Sequence, residues 1–403
     1  MWSVLTRNPD FRRLFISQLV LFGGDWFVLI PLLTLLPKLT GSGLWGALAL
    51  ATDMALQALL LPYTGTVADR LDRRKIMLVA NVVSITVVAA LLLVRSAGTA
   101  WIAIVAVGLL AVAKAFYTPA AGAALPNTVP ASDLAKANAL SGSAWGTMLV
   151  VGASLGGLVS AAVGPYVCFA MTVGCLLISA LLVWRIRAPL QAGVVAERAA
   201  PFTAIREALR YIGGHPRVAA LVTVKSAIGF GNGGLVAFPL LALVYGIGET
   251  GTGLLFAARG LGALIGPLLL GWVLTRERWL LPALAVSMGL FSVCYLGIAA
   301  TTVIWVALPL VVVAHMAGGA NWMISNFALQ TEVPDGLRGR VLAADMMIAT
   351  LAIAVSQLVA GAFVDSVSPR VVIAVSGAVT GAYAIVWRLI TLRLMRRAPA
   401  ALP

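Results

Sequence analysis

Twelve apolar runs, each about long enough to cross a bilayer, recur along this chain and leave it few ways to fold. They lie near 14–36, 44–62, 76–94, 100–119, 138–163 and 165–184, and again near 217–245, 251–274, 279–299, 302–328, 341–363 and 370–391. A helix needs ~20 mostly apolar residues to cross ~30 Å of hydrocarbon. The shortest breaks fall at Gly164-Pro165 and at Ala300-Thr301-Thr302. Composition agrees: 61% of residues are hydrophobic and 10% charged, where soluble domains sit near ~45–50% and ~25%. A soluble fold lacks the polar residues to cover so much apolar sequence, whereas lipid can serve as its solvent. Little sequence is left for a separate soluble domain, and the opening residues carry no signal-cleavage pattern. The expectation is an all-α membrane protein.

The basic residues sort by side. Of the 28 lysines and arginines, Lys38, Arg95 and Arg370 fall in loops opposite the N-terminus, and Lys114, Lys225 and Arg259 fall within runs. All the others lie on the N-terminal side. The positive-inside rule then places both termini in the cytoplasm, with the chain integral to the cytoplasmic (inner) membrane. An odd number of spans would have scrambled this alternation. The net charge of +14 thus reads as a cytoplasmic membrane-facing surface, and no nucleic-acid partner is expected.

The chain also repeats itself. Ala124-Leu125-Pro126-Asn127-Thr128-Val129-Pro130 recurs as Ala328-Leu329-Gln330-Thr331-Glu332-Val333-Pro334, and Phe22-Gly23-Gly24-Asp25 as Phe230-Gly231-Asn232-Gly233. Elements recurring six spans apart predict two pseudo-symmetric six-helix bundles, with substrate between them near mid-membrane. The expected divisions are 1–185, a cytoplasmic linker 186–215, and 216–403. Within the linker, 202–212 has apolar positions at helical spacing, which suits either a short amphipathic helix on the cytoplasmic face or an ordered connector.

The loop after the second run reads Gly65-Thr66-Val67-Ala68-Asp69-Arg70-Leu71-Asp72-Arg73-Arg74-Lys75. It resembles the signature loop of the major facilitator superfamily, G-x-L-A-D-R-x-G-R-R-K, with Val67 for Leu and Asp72 for the second Gly, a replacement that argues against the tight turn a Gly would allow. The resemblance implies the major facilitator fold, alternating access and a gating role for Gly65, Asp69, Arg70, Arg73 and Arg74. In that family the aspartate matching Asp69 contacts the eleventh span, where a helix N-terminus favours an anion; the same residues also read as a topogenic charge cluster. Gly152-Ala153-Ser154-Leu155-Gly156-Gly157 resembles the antiporter motif G-P-x-x-G-G, with Ala153 for Pro, although small residues serve helix packing on their own account. The stretch from Phe116-Tyr117-Thr118-Pro119 to Lys136-Ala137-Asn138-Ala139-Leu140 is similar to the branch holding macrolide efflux proteins, enterobactin exporters and lysophospholipid transporters.

An ionisable residue in hydrocarbon costs roughly 3 kcal/mol and is functional by default. Asp25 and Asp53 lie midway along the first two runs, and Lys114, Lys225, Arg259 and His315 in the fourth, seventh, eighth and tenth. Asp25 is the leading proton-coupling candidate, because burial and a nearby base act on it in opposite directions. Asp53 is the second. The repeat aligns it with Arg259, so a salt bridge between them is expected, for coupling or for structure. His315 titrates near neutrality, or serves as a hydrogen-bonded structural residue. Lys114 and Lys225 are expected to counter the acids or bind an anionic substrate, with Arg259 a fixed counter-charge. Two acids against three bases leaves an imbalance for substrate, proton or imidazole to fill. Asp345, near a run's end, reads as a helix-end group. Phe22, Trp26, Trp145, Phe230, Asn232, Asn321, Trp322 and Asn326 are expected to line the cavity, or to pack.

Three cysteines, Cys168, Cys175 and Cys294, lie inside apolar runs with no C-x-x-C pair, which argues against a metal site. No zinc-protease, nucleophile-elbow or P-loop pattern points to an enzyme, and no cofactor is expected. The leading expectation is a monomeric, proton-coupled exporter of drug-like or amphiphilic molecules, with protons, membrane lipid and a small-molecule substrate as partners. The alternatives are a siderophore exporter, a lysophospholipid flippase and a non-transporting sensor.

Overall fold

The computed structural model describes residues 3–191 and 201–397, and among them it is helical with no strand. Among the described residues, twelve helical spans are long and apolar enough to cross a membrane. The first six spans are Pro9–Thr40, Leu44–Thr64, Arg73–Leu93, Ala97–Thr128, Lys136–Val163 and Pro165–Trp184. The last six are Pro216–Val244, Gly248–Leu274, Arg278–Ala300, Ile304–Glu332, Asp335–Phe363 and Pro369–Arg393. Each answers to one apolar run, and several extend past it with polar ends, as Pro9–Thr40 and Asp335–Phe363 do.

Local chemistry explains the breaks. The first span ends at Gly41, whose φ of 74° lets its N–H donate back to the Pro37 carbonyl at 2.9 Å; a side chain is strained in that left-handed region. Gly164 (φ 91°) closes the fifth span, and Pro165 opens the sixth at a position where no N–H is needed. Asp72, in place of the motif's second glycine, has φ −58° and caps the third span. Its Oδ1 accepts from the backbone N–H groups of Arg74 at 2.8 Å and Lys75 at 3.2 Å, as an N-cap aspartate does.

The seventh run is not one helix. It comprises an α-helix Pro216–Gly231, a 3-10 stretch Asn232–Ala237 and a short helix Phe238–Val244. A 3-10 stretch inside a helix marks strain or a hinge. Here it coincides with close packing: a Cβ added at Gly233 would lie 2.8 Å from the Ser356 carbonyl oxygen, and one at Gly234 would lie 2.8 Å from the Tyr295 ring.

Contacts sort the described residues into two compact units, one within Met1–Ala199 and Pro239–Gly260, the other within Ala200–Phe238 and Leu261–Pro403. The first is filled by fully buried side chains such as Phe11, Leu14, Met77, Tyr117 and Phe169. Polar stitches join its spans: Ser17 Oγ lies 2.5 Å from Tyr117 Oη and 2.6 Å from Ser179 Oγ. Residues 239–260 pack within this unit in this structure. Glu249 accepts from Lys38 Nζ at 2.5 Å and from Ser160 Oγ, and Trp26 packs on Phe256. In the second unit the twelfth span donates to seventh-span carbonyls: Trp387 Nε1 to Ala220 at 2.8 Å, Tyr383 Oη to Thr223 at 2.9 Å and Thr380 Oγ1 to Ala227 at 3.1 Å. Such bonds and small-residue contacts hold helices together where lipid removes the usual hydrophobic drive. The linker's predicted amphipathic segment is a helix, Pro201–Gly214, which buries Ala208 and Ile212 and pairs Glu207 with Arg340; residues 192–200 lie outside the described residues.

Candidate functional site

The intramembrane charges fall into two clusters, one in each unit. In the first, Lys114 of the fourth span donates to Asp25 Oδ2 at 2.7 Å and to Asp53 Oδ1 at 2.9 Å. The three side chains are 10%, 18% and 6% exposed. Gln57, one turn beyond Asp53, donates to its other oxygen at 2.9 Å. The expected pairing of Asp53 with Arg259 is thus replaced by a pairing with Lys114, because the fourth span packs along the second and brings the ammonium between both carboxylates. Arg259 instead lies over Trp26, its guanidinium carbon 5.4 Å from the ring centroid, a cation–π geometry.

Glycines set where Asp25 sits. A Cβ at Gly152 would lie 2.7 Å from the Gly23 carbonyl, and one at Gly156 would lie 3.2 Å from Phe27 Cα. The antiporter-like motif therefore lies directly against the turn that carries Asp25. A Cβ at Gly157 would lie 2.8 Å from both Gly253 Cα and the Glu249 carbonyl, so the same motif holds the start of the eighth span. Beside Asp25 and Lys114 is a narrow space of about 10 Å³ bounded by Ser84 and Thr172, about the size of one water.

In the second cluster Lys225 pairs with Asp345, and the two side chains are 0% and 1% exposed. Lys225 also donates to Asn326 Oδ1 at 2.7 Å and lies 5.6 Å from the Trp322 ring centroid. Asp345 is therefore not a helix-end group. The eleventh helix begins at Asp335, well before its apolar run, and carries Asp345 into the interior. The predicted imbalance disappears: a third acid stands beside the three bases. That imbalance was the sequence signal for it.

The other predicted residues divide. His315 is buried, with Nε2 3.1 Å from Tyr295 Oη and its ring edge-on to Phe291. Asn321 is fully buried and donates to Ser287 Oγ at 2.9 Å. It joins the ninth and tenth spans, which removes it from the expected cavity lining. Asn232 is also buried and donates within its own span to the Ile228 carbonyl. Trp26 is buried, Trp145 is exposed, and Phe22, Phe230, Trp322 and Asn326 are half-buried, with Phe230 against Tyr383. In the loop motif, Arg73 clamps three carbonyls, those of Ala123 at 2.8 Å, Leu190 at 3.0 Å and Ala68 at 3.3 Å. Arg74 donates to Ala188 at 3.1 Å, and Arg70 is exposed. The side chains of Gly65 and Asp69 lie outside the described residues.

The sequence matches the family described as Major Facilitator Superfamily over residues 14–355 and 226–402. The chain belongs to that superfamily. It is an integral membrane transporter with the twelve-helix fold, of a family whose members carry small-molecule substrates. Its relatives include enterobactin exporters EntS of Salmonella typhi and Salmonella paratyphi A. Each is 26% identical over 353 residues, covering 84% of this chain and 82% of the relative. Among solved structures, a bacterial homologue of the human lysosomal transporter Spinster, inward-facing and unoccupied, matches with a TM-score of 0.76 at 16% identity, covering 98% of this chain and 99% of that one. The nucleoside transporter NupG matches with a TM-score of 0.71 at 14% identity, covering 96% of this chain and 99% of that one. At these identities the two structures speak for the fold alone.

Proposed function

We propose that this transporter is a proton-coupled exporter of amphiphilic small molecules, working by alternating access in the cytoplasmic membrane with both termini in the cytoplasm. The observation that carries the reading is the Asp25–Lys114–Asp53 triad. It holds one carboxylate more than it has bases, so uptake of a single proton brings it to neutrality. A charge-neutral site is the one a moving bundle tolerates in hydrocarbon, since an uncompensated buried charge is costly. The contact of Gly152 on Gly23 gives the fifth span a direct mechanical path to the Asp25 turn. The Lys225–Asp345 pair, already balanced and closed off, is read as structural, and His315 with its tyrosine partner as structural also. The loop motif with Asp69 is read as the cytoplasmic gate, and the divisions 1–185, 186–215 and 216–403 as the moving and connecting parts.

The cargo reading rests on less. Lys114 and Lys225 each already hold a carboxylate, so an anionic cargo would have to displace it. This favours neutral or cationic amphiphiles. A siderophore is the second reading, favoured by the relatives named as enterobactin exporters. Both readings are tested in proteoliposomes carrying an internal pH dye, with cationic, neutral and anionic amphiphiles and a catecholate siderophore as the panel. Cargo-dependent proton movement in the native protein, absent in Asp25→Asn, is the expected result. Transport that survives Asp25→Asn with its proton movement intact would overturn the coupling assignment.

A further inference from the structure

At the N-terminal side of the first unit lies a cleft of about 670 Å³ bounded by Arg13, Arg74, Trp184, Arg185, Ile186 and Arg187. The ends of three spans supply its charge: Arg13 from the first, Arg74 from the third, and Arg185 and Arg187 from just beyond the sixth. Asp10 ties two of its walls together. Its carboxylate accepts from Arg13 at 2.5 Å and from the backbone N–H groups of Arg187 at 3.1 Å and Ala188 at 2.9 Å. Arg74 secures the same turn from the other side through the Ala188 carbonyl. The Arg185 and Arg187 guanidinium groups make no hydrogen bond or ion pair among the described residues, and both residues are exposed.

Four guanidinium groups against one carboxylate leave a concentrated positive charge at the edge of the hydrocarbon. Guanidinium matches phosphate oxygens two at a time. Trp184, 64% exposed, stands at the rim, and exposed Leu181, Ile178 and Leu177 continue along the same helix into the membrane. A soluble phosphate would use the arginines alone; a lipid would use the arginines for its headgroup and this apolar strip for its chains. Tryptophan at the interface suits the junction between the two.

We propose that this cleft binds the headgroup of an anionic phospholipid from the cytoplasmic leaflet, best one with two phosphodiesters, as in cardiolipin. Basic pockets between spans on that side are suited to such headgroups, each basic group adding about 1 kcal/mol near the surface. Two arginines removed together then weaken binding about thirtyfold.

The test is native mass spectrometry of the purified full-length protein titrated with cardiolipin, phosphatidylcholine and inorganic phosphate. The native protein is expected to retain cardiolipin well beyond phosphatidylcholine. Arg185→Gln/Arg187→Gln should lose about thirtyfold in affinity, while Arg206→Gln/Arg210→Gln, an equal charge loss elsewhere on the same side, stays within about twofold. Arg185→Lys/Arg187→Lys, which keeps the charge but loses the two-pronged fit to phosphate, should fall between the two glutamine pairs, and all variants should elute as monodisperse protein. Equal losses in the two glutamine pairs, or no loss in either, would overturn the site. Inorganic phosphate competing as well as the lipid would make it a free-anion site and overturn the lipid assignment.

Discussion

Removing Lys225 from its partner is the sharpest perturbation of the second unit. Lys225 and Asp345 are 0% and 1% exposed, so neither charge has water to fall back on. Deleting one member of such a pair strands the other and costs about 3–5 kcal/mol, whereas replacing both with apolar residues of similar size is near neutral or stabilising. In lipid the unpacked helices also find partners, which shifts the expected loss to the lower end. At about 2 °C per kcal/mol for a large domain, Lys225→Met should lower the melting temperature by roughly 6 °C. Asp345→Leu should do the same, and Lys225→Met/Asp345→Leu should return most of the way to native. The assay is fluorescence-detected melting in one detergent for all four proteins. Losses that simply add in the double variant would refute the reasoning, because additivity means the two charges do not interact.

Other expectations follow from single contacts. Gly157→Ala pushes a methyl against the Gly253 backbone at 2.8 Å; overpacking of about 1–3 kcal/mol should lower both melting temperature and transport, while Gly174→Ala, mid-helix with nothing near, should lower neither. Asp72→Ala removes the cap of the third span and should cost about 1 kcal/mol in melting experiments, most of it recovered by Asp72→Asn. Lys38 is 57% exposed, so Lys38→Met should shift stability by less than about 1 kcal/mol. Glu249→Ala should cost more, since it also removes the acceptor for Ser160.

The number and order of the spans were legible because hydrocarbon imposes its length on every helix. The members of the charge clusters were legible as types, since Asp25, Asp53, Lys114 and Lys225 each stand out in apolar sequence. That the two lysines counter acids was legible too, but not which acid each meets. Pairing depends on which helices pack together and on rotation about each axis, and the repeat suggested Arg259 for Asp53 where packing supplied Lys114. Asp345 was misplaced because hydropathy located the start of the eleventh span at its apolar run, although the helix begins at Asp335. The break in the seventh span was hidden for a related reason: Asn232-Gly233-Gly234 is apolar enough in context to continue a run, and the close approach of Ser356 and Tyr295 to these glycines exists only in the folded chain.

The central claim is that the Asp25–Lys114–Asp53 triad takes up a proton within the membrane. Infrared difference spectroscopy of the protein in lipid, between acidic and neutral pH, reads this without any cargo. The account predicts a protonated-carboxyl band in the native protein that is lost in Asp25→Asn or in Asp53→Asn and kept in Lys225→Met/Asp345→Leu. A band unchanged by both triad substitutions would contradict it.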